Sequence, residues 1–65
     1  MLVLKIKEIR LKRNLTQEEL AKLSGISKSY IGDLERNEKE PTISILCRLA
    51  DVLEVDIKDL FTYKK

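Results

Sequence analysis

The stretch Thr16–Arg36 limits what this chain can fold into more than any other part, because a single glycine divides it into two short helical segments. Thr16 is a favourable N-cap, and Glu19 three residues later completes the sequence pattern of a capping box. Gly25 can adopt the left-handed conformation that commonly ends a helix. The sequence therefore predicts two short helices joined by a tight turn at Gly25.

The spacing of apolar residues gives each of these helices one side that faces a core. The first helix is predicted over about residues 17–24 and the second over about residues 27–36. The inward-facing residues are Leu20, Leu23, Ile26, Ile31 and Leu34. At 100° per residue, the opposite side of the second helix carries Ser29, Gly32, Asp33 and Arg36. Two such helices with a glycine turn are the signature of a helix-turn-helix.

Three further helices and a pair of strands are predicted around this centre. Leu4–Arg13 has helical spacing, with apolar residues on one side. Thr42 caps a fourth helix that is apolar around much of its circumference, and Asp56 caps a short fifth helix. Residues Met1–Leu4 and Phe61–Tyr63 can pair as short strands that bring the two ends of the chain together.

The composition fits one small domain and excludes several kinds of site. The chain has 65 residues, 43% of them hydrophobic and 37% charged, which predicts a single domain over 1–65. The only cysteine, Cys47, cannot form an intramolecular disulfide and is predicted to be a small core residue. Without histidine, a His-based metal site or catalytic triad is excluded, and we expect no cofactor, no metal and no enzymatic activity. No apolar run suits a signal peptide or a membrane span, so we expect a soluble, cytoplasmic protein.

Several short sequence blocks together resemble one known family. They are Gln17-Glu18-Glu19-Leu20-Ala21, Gly25-Ile26-Ser27, Tyr30-Ile31, Leu34-Glu35-Arg36, Pro41-Thr42 and Leu49-Ala50. This combination resembles the Xre/Cro/phage-repressor helix-turn-helix family from Ile6 to Phe61. The resemblance implies an all-α, compact five-helix, lambda-repressor-like DNA-binding domain. It also implies a transcriptional regulator, expected to be a repressor, that binds double-stranded DNA as a homodimer. Many members of the family carry a further ligand domain, but 65 residues leave no room for one, so we expect no small-molecule ligand.

The resemblance implies that the second helix of the motif reads the DNA sequence in the major groove of a near-palindromic operator. The implied base contacts are Ser27, Lys28, Ser29 and Asp33. Lys28 can donate to guanine, and Asp33 can accept from cytosine N4. The implied phosphate contacts are Gln17, Asn37, Lys39, Arg13 and Tyr30. Gly32 leaves the outer side of the helix bare, which would let the backbone approach DNA. Arg10 and Glu35 match a structural salt bridge of the family.

The last apolar residues of the chain are the candidates for a dimer interface. They are Leu53, Val55, Ile57, Phe61 and Tyr63. The alternative reading is a small helical protein-interaction module, antitoxin-like or an anti-regulator, in which DNA binding is secondary. The net charge of +2 and the acidic residues Glu38 and Glu40 leave that alternative open, because mixed charge is typical of any solvated surface.

Overall fold

A computed structural model describes residues 1–65 and contains four α-helices, one 3-10 helix and two strands. The α-helices are α1 Ile6–Lys12, α2 Gln17–Ser24, α3 Lys28–Glu35 and α4 Ile43–Leu53. Strand β1, Leu2–Leu4, precedes α1. The 3-10 helix, Ile57–Leu60, follows α4 and leads directly into β2, Phe61–Tyr63. None of these helices combines the length and the apolar character that a membrane span requires.

The predicted fifth α-helix is wrong, because only the 3-10 helix Ile57–Leu60 occupies that part of the chain. Asp56 precedes it without a side-chain capping hydrogen bond, although its carbonyl accepts from the Asp59 N–H at 2.9 Å. Phe61 is already extended, with φ −154°, and pairs with Leu4. The start of β2 therefore leaves no room for a second helical turn.

The predicted strand pair is confirmed and joins the two ends of the chain. Strands β1 and β2 are antiparallel, with Leu2 opposite Tyr63 and Leu4 opposite Phe61. Just beyond the ladder, the Met1 amino group donates to the Lys64 carbonyl. Leu2–Leu4 is therefore a strand and not the start of α1, so Leu2 belongs to the sheet.

The core lies where α2, α3 and α4 meet, and the strand pair and the 3-10 helix close one end of it. Its fully buried side chains are Ile6, Leu20, Ile31, Leu34, Leu49, Leu53 and Leu60. From α4, the core takes Leu46, Leu49, Ala50 and Leu53, which is the i, i+3, i+4, i+7 spacing of one helix face.

Two predicted core positions are wrong. Leu23 is 63% exposed, and the neighbouring Ser24 is buried in its place. The Ser24 hydroxyl can be buried because it donates to the Leu20 carbonyl at 2.7 Å and accepts from the Ile26 N–H at 3.3 Å. Cys47 is also exposed, because the face of α4 centred on Leu49 points inward.

Each of the four α-helices is followed by a residue with left-handed backbone angles. These residues are Asn14, Gly25, Asn37 and Glu54, with φ of 56°, 72°, 58° and 57°. After α3, the N–H of Asn37 donates to the Leu34 carbonyl and that of Glu38 to the Asp33 carbonyl, the two bonds of a Schellman motif. Such motifs fix both the end of α3 and the direction of the loop that follows.

Candidate nucleic-acid interface

The α2–turn–α3 unit is fixed at three points of its backbone. The predicted capping box is present: the Thr16 hydroxyl accepts from the Glu19 N–H at 3.0 Å, and the Glu19 carboxylate accepts from the Thr16 N–H at 2.9 Å. The Thr16 hydrogen bonds lower the pKa of Glu19. Gly25 takes the left-handed turn, and the Ser27 hydroxyl then caps α3 by accepting from the Tyr30 N–H at 3.1 Å.

A buried ion pair joins α1 to α3, as the family resemblance implied. Arg10 Nε donates to Glu35 Oε2 at 2.7 Å, and Arg10 Nη2 donates to Glu35 Oε1 at 3.1 Å. Only 8% of the Arg10 side chain and 4% of the Glu35 side chain are exposed. Arg10 Nη1 also donates to the Leu15 carbonyl at 2.8 Å, so all three nitrogen atoms of the guanidinium donate hydrogen bonds. The pair holds α3 at a fixed angle to the rest of the domain.

The same ion pair orients Gln17. Gln17 Nε2 donates to Glu35 Oε1 at 2.9 Å, which leaves the amide oxygen and one N–H free at the surface. Burial acts to raise the pKa of Glu35, but hydrogen bonds from Arg10 and Gln17 and the nearby charges of Arg10 and Lys7 outweigh it and lower that pKa. Glu35 is therefore a carboxylate that both accepts the pair and positions Gln17.

Gln17 and the outer face of α3 line one shallow cleft. We define that outer face as Lys28, Ser29, Gly32, Asp33 and Arg36, which with Gln17 are the residues that line the cleft. None of them has an apolar side chain. Lys28 and Ser29 are exposed, and none of the four ion pairs in the structure involves Lys28. The structure thus brings predicted residues from two helices onto one polar surface.

Arg36 was not among the predicted contacts, yet it makes two ion pairs on this surface. Its Nη2 lies 2.7 Å from Asp33 Oδ1, and its Nε lies 2.7 Å from Glu38 Oε1. Lys39 Nζ lies 3.3 Å from Asp33 Oδ2 and 5.8 Å from the centre of the Tyr30 ring. We call Asp33, Arg36, Glu38 and Lys39 the charged cluster. The outward position of Arg36 was visible in the sequence, but its partners depend on side-chain conformation.

The prediction that Gly32 leaves the outer side of α3 uncovered is wrong. Gly32 is buried, and a Cβ there would lie 3.1 Å from Arg36 Nη1, so the Arg36 guanidinium lies across this part of the helix. Both oxygens of the Asp33 carboxylate are paired in this structure, Oδ1 with Arg36 and Oδ2 with Lys39.

Two predicted phosphate contacts lie apart from the cleft and make other bonds. Asn37 Oδ1 accepts from the Leu4 N–H at 3.2 Å, which ties the end of α3 to β1. Arg13 Nη2 donates to the Glu54 carbonyl at 3.1 Å, and Arg13 lines a different groove, with Lys12 and Val55. Neither residue lines the cleft formed by Gln17 and the outer face of α3.

The predicted dimer residues divide by burial. Leu53 has no exposed area and faces the core, so its assignment to a dimer interface is wrong. Val55, Ile57 and Phe61 are half-buried against the core, whereas Tyr63 is 69% exposed.

The comparisons with known proteins agree with this architecture. A helix-turn-helix family model matches residues 6–60. The control protein C.SmaI of Serratia marcescens is 45% identical over 49 residues, which are 75% of this chain and 58% of that protein. This chain thus spans somewhat more than half the length of C.SmaI.

Two solved structures share the fold and more than a quarter of the sequence. The restriction-modification controller protein C.AhdI of Aeromonas hydrophila superposes with a TM-score of 0.82, at 36% identity over 86% of this chain and 85% of that one. SinR, a master regulator of biofilm formation solved in complex with DNA, superposes with a TM-score of 0.80, at 34% identity over 83% of this chain and 87% of that one. The resemblance predicted from the sequence blocks is therefore confirmed, and the chain belongs to the helix-turn-helix family of DNA-binding transcriptional regulators.

Proposed function

We propose that this protein is a sequence-specific regulator that binds double-stranded DNA as a homodimer, with α3 in the major groove of each half of a near-palindromic operator. The observation that carries the proposal is the polar cleft in which Gln17 and the outer face of α3 lie together. A protein seated in the groove excludes others from the same DNA, so repression is the expected direction. The proposal assigns no catalytic step to the chain.

The proposed contacts divide into base readers and phosphate contacts. Lys28 and Ser29 are exposed in the first turn of α3, where a recognition helix meets base edges. Ser27 keeps a hydroxyl hydrogen to donate. Asp33 has one ion pair on each carboxylate oxygen and can accept from a base through the lone pairs that remain. Gln17 begins α2, where free backbone N–H groups favour a phosphate. Its free amide N–H can add a second hydrogen bond to the same anion. Tyr30 and Lys39 lie beside the outer face of α3, where a flanking phosphate would pass.

The composition of this surface argues against the protein-interaction alternative. A helix that docks onto a protein partner usually presents apolar anchors, but the outer face of α3 has none. Its free hydrogen-bonding groups instead suit the base edges and phosphates of DNA.

The homodimer is part of the proposal, and Tyr63 is the residue best placed to test it. Tyr63 is exposed at the end of β2, so Tyr63→Asp places a charge on the proposed interface without disturbing the core. We expect sedimentation equilibrium to show a dimer for the wild type and a shift towards monomer for this variant. A wild type that remains monomeric at high concentration without DNA would refute a constitutive dimer.

Selection from a random-sequence duplex pool tests the DNA-binding function directly. The wild type should enrich one near-palindromic sequence, and affinity should fall steeply with salt because phosphate contacts release counterions. Lys28→Ala with Ser29→Ala should lose the enrichment. Lys12→Ala removes the same charge in the groove next to Val55 and should keep it. Failure of the wild type to enrich any sequence would overturn sequence-specific binding.

A further inference from the structure

Arg36 is folded back on its own helix by two carboxylates. Asp33 binds one terminal nitrogen of the guanidinium, and Glu38 binds Nε on another edge, each at 2.7 Å. The guanidinium lies close over Gly32, where a Cβ would be 3.1 Å from Arg36 Nη1. The guanidinium is nevertheless at the surface, since 59% of the Arg36 side chain is exposed.

Lys39 is held in the same way. Its ammonium lies 3.3 Å from the second oxygen of Asp33 and over the ring of Tyr30. Arg36 on the outer face of α3 and Lys39 next to it are thus both paired within the chain. Lys28 remains as the cation of that face outside any ion pair.

We propose that Arg36 is a DNA phosphate-binding residue, and that the carboxylates of Asp33 and Glu38 occupy its phosphate-binding position until DNA displaces them. This inference rests on the proposed function. A carboxylate and a phosphate offer a guanidinium the same pair of oxygen acceptors, so one can replace the other. On binding, Arg36 leaves Glu38 for the DNA backbone.

This exchange weakens binding to any DNA by the strength of the ion pairs that must be broken. An exposed ion pair changes an equilibrium constant by up to about fivefold. The cost falls on every sequence alike. The charged cluster therefore lowers the affinity for every DNA duplex by the same factor, and an operator offsets that cost through base contacts by Lys28 and Ser29.

The test compares two carboxylates of the same loop. Glu38→Gln removes the ion pair between Glu38 and Arg36, while Glu40→Gln removes an equal charge from a residue that makes no ion pair. Both residues are exposed, so both variants should keep the wild-type unfolding midpoint. With a mixed-sequence duplex a few helical turns long, we expect Glu38→Gln to bind up to about fivefold more tightly than Glu40→Gln.

Arg36→Met distinguishes release of Arg36 from simple charge repulsion. Alone, it should weaken duplex binding and reduce the slope of log affinity against log salt by about one. In a protein that already carries Arg36→Met, Glu38→Gln should no longer raise the duplex affinity more than Glu40→Gln does. Equal gains from Glu38→Gln and Glu40→Gln, or a gain that persists with Arg36→Met, would overturn the inference and leave the proposed function standing. Absence of duplex binding by every protein, together with failure of the wild type to enrich any sequence from the random pool, would overturn both.

Discussion

Replacing Arg10 by methionine should nearly unfold the domain, because it leaves a buried carboxylate without its cation. Arg10 donates two hydrogen bonds to Glu35 and one to the Leu15 carbonyl. After the substitution, Glu35 keeps only the Gln17 amide at 2.9 Å, in a site where 4% of its side chain is exposed. Methionine fills much of the space of the arginine stem, so the lost charge is the main change.

The expected cost is a large part of the total stability. Breaking a buried ion pair by removing one partner costs about 3–5 kcal/mol. A chain of this length has a total free energy of unfolding of roughly 3–10 kcal/mol. Removing the stranded charge as well, with Arg10→Met and Glu35→Leu together, should recover most of the loss, because an apolar pair of similar volume often replaces a buried ion pair without cost.

Urea denaturation followed by circular dichroism measures these differences, and pH provides an independent check. In the wild type the pKa of Glu35 is lowered, so the ion pair stabilises the fold above the ordinary carboxylate pKa of about 4.3. That stability is lost as the pH falls through the lowered value. In Arg10→Met, burial without the cation should raise the pKa of Glu35. The difference in unfolding free energy between the two proteins should therefore shrink towards low pH.

Three results would refute this reasoning. A loss below about 1 kcal/mol at neutral pH would mean that the buried carboxylate carries no penalty. A double variant no more stable than Arg10→Met would mean that packing, and not charge, was lost. An unchanged unfolding midpoint combined with lost DNA binding would show that Arg10 acts at the DNA surface instead of stabilising the fold.

Two further substitutions should stabilise the protein. Gly32→Ala should raise the free energy of unfolding by about 0.5–1 kcal/mol, and Tm by several degrees, because alanine favours the helix. The Arg36 side chain must move by a few tenths of an ångström to make room for the new Cβ. A lower Tm would mean that Arg36 cannot make this movement. Glu54→Gly should gain about 1 kcal/mol by relieving the left-handed backbone at φ 57°, whereas Glu54→Ala, which keeps a Cβ, should not; equal effects in thermal melts would refute the strain argument. The carbonyl that Arg13 contacts is kept in both Glu54 variants.

The helix-turn-helix was predicted mainly from sequence signals that lie close to one another along the chain. A capping box, a glycine that can turn left-handed and apolar residues at helical spacing act within a few residues of each other. They therefore predict α2, α3 and the turn without knowledge of the rest of the chain. Leu20, Ile31 and Leu34 are buried as expected, because each lies at the centre of the apolar side of its helix.

Positions at the margin of a helix face were predicted less well. Leu23 and Ser24 are neighbours on α2, and hydrophobicity alone favours burying Leu23. The packing of α2 against α3 and α4 decides the rotation, and it buries Ser24 at no polar cost because its hydroxyl is bonded within the turn. The prediction of a short fifth α-helix was also wrong because of a tertiary contact, since the pairing of Phe61 with Leu4 ends the helical segment.

The functional surface was likewise predicted in part from local signals and in part depends on tertiary contacts. Helical periodicity alone identifies the residues on the outer side of α3. The position of Arg36 across Gly32, between Asp33 and Glu38, depends on tertiary packing, and so does the hydrogen bond by which Glu35 orients Gln17. These contacts join residues from different turns, loops and helices, so their geometry exists only once the backbone has placed the charges within reach of one another.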